Sequence, residues 1–262
     1  MLKNIFIFVL IIIFAGTINA QQLNYKIVPD RPDFTNSPLV VPMGSVQIES
    51  GIYFSKWSSD QSVPKLETND IGIFSTLVRV SLSEMFELRA GGEYLMRRVK
   101  EGSLETNLKG LNALYAGTKF QFLKSENSFA DAAAVAEIAL PFGSADFKPA
   151  KAEPKIYLSL AHLLSGPFSV TYNAGTQYQS GIEEYLYFYS ISFGIEISDR
   201  IGGFAEHYGM LLNSAAPRYF ADAGISYLQN ENLMVDLSFG KEFTPDANYW
   251  FISAGFSIRL PK

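Results

Sequence analysis

The chain has 262 residues, no cysteine, 48% hydrophobic residues and a formal charge of −5. Without cysteine no disulfide framework is available, and an acidic balance with no basic patch argues against nucleic acid as a partner. The 14 Tyr and 21 Phe suit a two-faced sheet with aromatic girdles.

In chain order, residues 1–20 read as a secretory signal peptide. One positive charge at Lys3 is followed by an unbroken apolar run from Ile5 to Phe14, and small Ala20 marks the expected cleavage point. The run is too short to span a bilayer as a helix, which needs about twenty residues. Loss of Lys3 with the signal takes the charge from −5 to −6. Residues 21–43 are polar and punctuated by Pro29, Pro32, Pro38 and Pro42, which opposes a central strand. An extended segment is expected here, periplasmic or tucked into a lumen.

Residues 44–262 then alternate between apolar and polar side chains almost throughout. About twelve strands are predicted, near 44–56, 70–82, 86–98, 108–122, 130–141, 155–164, 168–179, 185–197, 202–212, 219–229, 233–243 and 249–260. The clearest runs from Tyr185 to Ile197, with Tyr187, Tyr189, Ile191, Phe193 and Ile195 on one parity and Ser190, Ser192 and Gly194 on the other. Ala132–Ala134 also suit a helix, so the fifth strand rests on less. Tight turns are expected at 83–85, 124–127, 165–167, 198–200 and 230–232. Longer loops are expected at 57–69, 99–107 and 142–154, with shorter links at 180–184, 213–218 and 244–248. Short turns on one side, longer loops on the other and an even strand count describe an outer-membrane barrel. The fold class is therefore all-β, a transmembrane antiparallel up-and-down β-barrel.

Charge parity tests this reading, because a charged group at the midplane of the lipid face costs about 2–4 kcal/mol for Arg or Lys. Glu49, Arg89, Glu93, Lys119, Asp222, Asp236 and Arg259 all share the polar parity of their strands. In the ninth strand Glu206 shares a parity with Phe204 and Tyr208, so its facing is ambiguous. Lys241 falls on the apolar parity, near a strand end where it can snorkel. Glu49, Arg79, Arg89, Glu93, Lys119, Glu137, Asp222, Asp236 and Arg259 are the candidates for lining a pore, where charged side chains set selectivity. The alternative is that they pair across strands and fill the interior.

The segment Pro29-Asp-Arg-Pro-Asp-Phe-Thr-Asn-Ser-Pro38, with Val41-Pro-Met-Gly44 and Gln47-Ile-Glu49-Ser-Gly51, resembles the opening of a known family. These are bacterial outer-membrane barrels assigned to transport in a MetA pathway of phenol degradation. The resemblance covers Asp30–Gly51 and implies a barrel with a transport role, hence small hydrophobic or aromatic solutes, lipid and the barrel-assembly machinery as partners. One departure is the ending Arg259-Leu-Pro-Lys262, where many such barrels close on an aromatic residue.

Enzyme chemistry finds little support. Only His162 and His207 are present, neither has a serine beside it by spacing, and no G-x-S-x-G elbow occurs. Two histidines without cysteine do not suggest a zinc site, and the pairs Glu183–Glu184 and Asp60–Glu67 lack calcium-loop spacing. No catalytic residue, metal or cofactor is expected. The expected function is passive passage of small solutes through the outer membrane of a Gram-negative bacterium. A closed structural or adhesive barrel acting through its loops is the alternative, and a lipid-modifying barrel enzyme is the third.

Overall fold

The computed structural model describes residues 26–59, 64–125, 129–164, 166–244 and 247–260. The signal peptide and its cleavage point lie outside the described residues. Twelve strands follow one another: β1 Val46–Ser59, β2 Leu66–Ser83, β3 Phe86–Glu101, β4 Leu104–Leu123, β5 Asp131–Ala139, β6 Glu153–Leu163, β7 Phe168–Gln179, β8 Glu184–Glu196, β9 Ile201–Leu211, β10 Arg218–Asn230, β11 Leu233–Glu242 and β12 Ala247–Leu260. Each pairs with its sequence neighbours, and β1 pairs with β12 antiparallel to close the barrel. Closure leaves no sheet edge, so backbone donors and acceptors are satisfied within the wall, as lipid requires.

The wall is inside out relative to a soluble protein. Along β11, Met234, Asp236, Ser238, Gly240 and Glu242 are buried, while Val235, Leu237, Phe239 and Lys241 point outward. Along β8, Phe188, Ser190 and Ser192 are buried, while Tyr185, Tyr187, Phe193 and Ile195 are exposed. An exposed apolar surface of this extent is foreign to a soluble monomer and matches a lipid-facing band. The Ala-rich fifth strand forms as a strand, with Ala133 and Val135 turned inward opposite Ser159 and Tyr157.

In β9, Glu206 and Tyr208 are buried and face inward, while Ala205 and His207 face outward. The parity looked ambiguous because the lumen is aromatic at this level, so an apolar side chain there does not mark the lipid side.

Loop lengths separate less cleanly than the sequence suggests. The expected loop at 99–107 is strand on both sides of a two-residue turn, Gly102-Ser103, with Gly102 at φ 59°. Here β3 and β4 rise beyond the hydrocarbon, which a tilted strand crosses in about 9–11 residues; β4 alone has 20 residues. Both faces of this hairpin are wet, so alternation disappears, and Arg98 paired with Glu105 across it helps hold it. The link at 57–69 shrinks likewise, because β1 runs to Ser59 and β2 starts at Leu66. At the opposite rim the turn expected at 124–127 is longer, since β5 begins only at Asp131. The loop after β5 persists and folds onto β4, with Ser144 donating its N–H to the Leu111 carbonyl at 3.0 Å.

Bulges cross one side of the wall at a common height, at Gly51/Ile52, Ile73/Thr76 and Gly91/Glu93. Bulges bend a strand and re-aim its side chains. In β2 the bulge moves the buried parity from Gly72 to Arg79 and Ser81 and turns Phe74 outward at φ 52°. Arg79 owes its inward position to this shift.

Candidate functional site

Residues 26–45 enter the lumen from the rim at which β1 starts and return to the same rim. Ile27 donates its N–H to the Glu231 carbonyl in the β10–β11 turn at 2.9 Å. The chain then crosses to β7–β9 and comes back through Val41, whose N–H donates to Glu87 Oε2 at 2.9 Å. Prolines explain why this stretch is not a strand: it takes its hydrogen bonds from side chains of the wall instead of a neighbouring backbone.

The two parts of the Asp30–Gly51 motif meet here. Gln47, Glu49 and Gly51 occupy successive inward positions of β1. Gln47 Nε2 donates to the Val28 carbonyl at 3.2 Å, and Glu49 Oε2 accepts the Asp30 and Arg31 N–H groups at 2.8 and 3.1 Å. Gly51 faces its cross-strand partner Gly255, and the two form a bare shelf on which the Arg31 guanidinium lies. A Cβ at Gly51 would stand 2.6 Å from Arg31 Nη2. From the shelf Arg31 Nη2 donates to Asp236 Oδ1 and Ser253 Oγ, both at 3.0 Å. Gly51→Val is therefore expected to dislodge Arg31, read as faster chemical labelling of a cysteine placed at Arg31's neighbour Asp33; an unchanged rate contradicts the shelf.

Asp30 is the centre of a buried charge network. Its carboxylate lies 2.5 Å from Arg89 Nη1, 3.0 Å from Lys119 Nζ and 3.6 Å from Arg79 Nη1. Arg79 also reaches Glu49 at 3.0 Å and Glu87 at 2.9 Å, and Arg89 reaches Glu137 at 2.9 Å. Lys155 completes the set at 3.4 Å from Glu137. Four carboxylates, Asp30, Glu49, Glu87 and Glu137, thus balance Arg79, Arg89, Lys119 and Lys155. Burial of charge is tolerable only where pairing is this complete. Arg79 and Lys119 also donate to the segment's carbonyls, at Leu39 (2.7 Å) and Ser37 (2.6 Å).

The far bend of the segment, Asp33–Asn36, docks differently. Phe34 donates its N–H to Glu206 Oε2 at 2.7 Å, Thr35 Oγ1 donates to Glu206 and lies 2.7 Å from Ser190 Oγ, and Asp33 accepts from Ser192 Oγ at 3.0 Å. Asn36 exchanges bonds with Asn173 and accepts from Tyr157, Ser159 and Arg89. The Phe34 ring stacks on Tyr208 at 4.5 Å, and Tyr208 on Phe220 at 4.7 Å. Such stacks add about 0.5–1.5 kcal/mol each beyond burial.

Of the candidates named from sequence, Glu49, Arg79, Arg89, Lys119 and Glu137 belong to the Asp30 network. Asp236 holds Arg31, and Asp222 lies opposite Glu206 on the neighbouring strand. Glu93 stands apart, accepting from Tyr53 OH at 3.1 Å and Asn112 Nδ2 at 2.7 Å. It lines a cavity of about 170 Å³ with Arg31, Glu49, Leu77 and Tyr115. Arg259 sits at the rim, donating to Asn232 Oδ1 at 2.8 Å, outside the network. Sequence reasoning missed Asp30, Arg31 and Asn36 as wall partners, and Glu87, Gln121 and Glu206. Glu87 was accessible, being two residues before Arg89 on the same parity.

Outside the wall, Lys151 and Glu183 pair at 2.8 Å between loops. Their hydrogen bond lowers the Glu183 carboxyl and raises the Lys151 ammonium from their ordinary values. His207 faces outward with its Nε2 3.0 Å from Tyr189 OH, and His162 packs beside Phe129 and Tyr172. Among the described residues no group of three or more His, Cys, Asp or Glu side chains is disposed to hold a metal ion.

Comparison with solved structures returns outer-membrane barrels. The COG4313 outer membrane channel from Pseudomonas putida F1 superposes with a TM-score of 0.60 at 8% identity, over 92% of this chain and 100% of that one. The translocator domain of the autotransporter NalP from Neisseria meningitidis gives 0.57 at 10% identity, over 82% and 88% of the two chains. The beta domain of the Bordetella autotransporter BrkA gives 0.53 at 11% identity, over 81% and 98%. At these identities the likeness concerns the fold. No curated protein sequence matches the chain. The family model described as "Putative MetA-pathway of phenol degradation" matches residues 29–260, all twelve strands together with most of the segment that fills the barrel, and the chain belongs to that family.

Proposed function

We propose that this barrel is a channel in the outer membrane of a Gram-negative bacterium, reached after signal cleavage near Ala20, that passes small solutes passively. The observation that carries this reading is the polar, charge-lined lumen narrowed by the chain's own residues 26–45. A structural plug of apolar side chains would fill such a barrel more stably, since replacing buried ion pairs by packed hydrophobic groups is often neutral or stabilising. The segment leaves a cavity of about 170 Å³, a space on the scale of a single small ring or a few waters. Of the candidates Glu49, Arg79, Arg89, Glu93, Lys119, Glu137, Asp222, Asp236 and Arg259, Glu49 and Glu93 border that cavity, while Arg79, Arg89 and Lys119 are buried behind the segment. Membership of the phenol-degradation family supports small hydrophobic or aromatic compounds as the solutes. The rim at which β1 starts is periplasmic, and the outward apolar band meets lipid after assembly by the barrel machinery.

The purified mature protein is expected to give discrete current steps in planar lipid bilayers. Silence both with and without residues 26–43 would sink the channel reading. It would favour a closed barrel working through its exterior, for which the raised β3–β4 hairpin is the surface to delete.

A further inference from the structure

Toward the rim opposite the one at which β1 starts, the outer face of the wall is built in two parts. On β7–β10 it carries aromatic rings. Tyr178 and Tyr185 lie 5.3 Å apart, and Tyr189, His207 and Tyr219 follow one another at 5.8 and 6.3 Å. On β12, Trp250 continues the belt against Phe54 and Phe239. Such rings suit a bilayer interface of any composition.

On β1–β4 the same face is cationic. Going toward that rim, Lys56 comes after Phe54 on β1, Arg98 and Lys100 after Tyr94 and Met96 on β3, and Lys109 after Leu111 on β4. The register joins them across the wall: Lys56 pairs with Asn69, Asn69 with Arg98, and Lys109 with Met96. Arg98, Lys100 and Lys109 are exposed. They belong to the part of β3 and β4 that rises past the hydrocarbon, which places them at the depth of headgroups. Two carboxylates share this face. Glu67 is held by Lys56 and Lys65 at 3.6 and 3.4 Å, and Glu105 by Arg98, which leaves Lys100 and Lys109 without an ion pair among the described residues. Two carboxylates against five cations make the arc positive, on a chain whose formal charge is −5. An excess of like charge repels itself unless anions lie beside it.

We infer that this arc binds the phosphate groups of the glycolipid that forms the outer leaflet, with Arg98, Lys100 and Lys109 on the phosphates and the apolar band beneath on the acyl chains. The inference rests on the proposed function only for which rim faces outward. Basic groups beside a bilayer are drawn to anionic headgroups, and a guanidinium takes phosphate oxygens in pairs. Ile71 and Leu111, 36% and 49% exposed, supply apolar surface directly below the cations. The surface is thus charged above and apolar below, the order in which a phosphorylated glycolipid presents its own two ends.

The test compares the mature protein, the variant Lys100→Gln/Lys109→Gln, and a control of equal charge loss at the opposite rim, Lys124→Gln/Arg200→Gln. Each is mixed in nonionic detergent with lipid A, which carries phosphate on its sugars, or with dephosphorylated lipid A, and the lipid co-eluting on gel filtration is measured. Wild type and control are expected to retain lipid A several-fold better than its dephosphorylated form, and the Lys100/Lys109 variant to lose most of that preference. Raising the salt from about 0.1 to 1 M should weaken it too, since the screening length falls from about 10 to 3 Å. Equal retention of the two lipids by the wild type, or a control that loses as much as the variant, overturns the surface. Phosphatidylglycerol retained as well as lipid A overturns the assignment to a glycolipid. A barrel silent in bilayers that still prefers lipid A through Lys100 and Lys109 loses the channel reading and keeps the surface.

Discussion

Replacing Asp30 by Asn is expected to release the lumenal segment while leaving the barrel closed. The substitution removes one of the two carboxylates that Arg79, Arg89 and Lys119 share, the other being Glu87. Breaking a buried ion pair by deleting one partner costs about 3–5 kcal/mol, because the remaining charges stay desolvated. Here three cations lose a common partner, while Glu87 still lies within 3.8 Å of all three and Glu49 and Glu137 pair with Arg79 and Arg89, so the lower part of that range applies. A docking equilibrium weakened by about 3 kcal/mol shifts its population by more than a hundredfold. The wall does not share this loss, since its ladder hydrogen bonds run from strand to strand. Thr35, which is 3% exposed, gives the readout. A cysteine at that position should react with a soluble maleimide far faster in the Asp30→Asn background. Equal rates in both backgrounds would show that the network does not hold the segment.

Deleting residues 26–43 should raise single-channel conductance several-fold and make it quieter. The segment occupies the lumen from the Asp30 network to the Phe34–Tyr208 stack, so its removal widens the path at every level it crosses. Water then reaches Arg79, Arg89 and Lys119, which hydration stabilises in place of Asp30. The variant should keep the heat-modifiable migration of a folded barrel. A conductance equal to that of the wild type would mean that the constriction lies elsewhere, for instance where the loop after β5 lies against β4 and Phe147 sits 5.9 Å from Arg97.

Much of this architecture was legible in the sequence because lipid and water impose opposite requirements on successive residues. Strand facing followed directly from charge parity, as at Asp236 and Ser238. The rule failed where one of those solvents is absent. Above the membrane both faces of β3–β4 are wet, so strand looked like loop. At Glu206 the inner face is itself aromatic, so a lumenal strand looked ambiguous. The site was legible only in halves. Gln47, Glu49 and Gly51 were recognisable as a motif, and so was Asp30-Arg31-Pro32. That one half is the receptor for the other depends on a chain reversal at Pro42–Ser45 that parity does not report. The clustering of Asp33 with Glu206 and Asp222 joins residues more than 170 positions apart and has no local signal.

The path of the segment has a topological consequence. Ile27 and Ser45 both lie at the rim at which β1 starts, so residues 27–45 form a loop hung into the lumen from one side rather than a thread drawn through it. The barrel can therefore zip its β1–β12 seam first and take in the loop afterwards. The loop can later withdraw and return without any strand pair opening. Occupancy of the lumen is in this sense an equilibrium carried on inside a finished wall, and its two end states share the same twelve-strand enclosure.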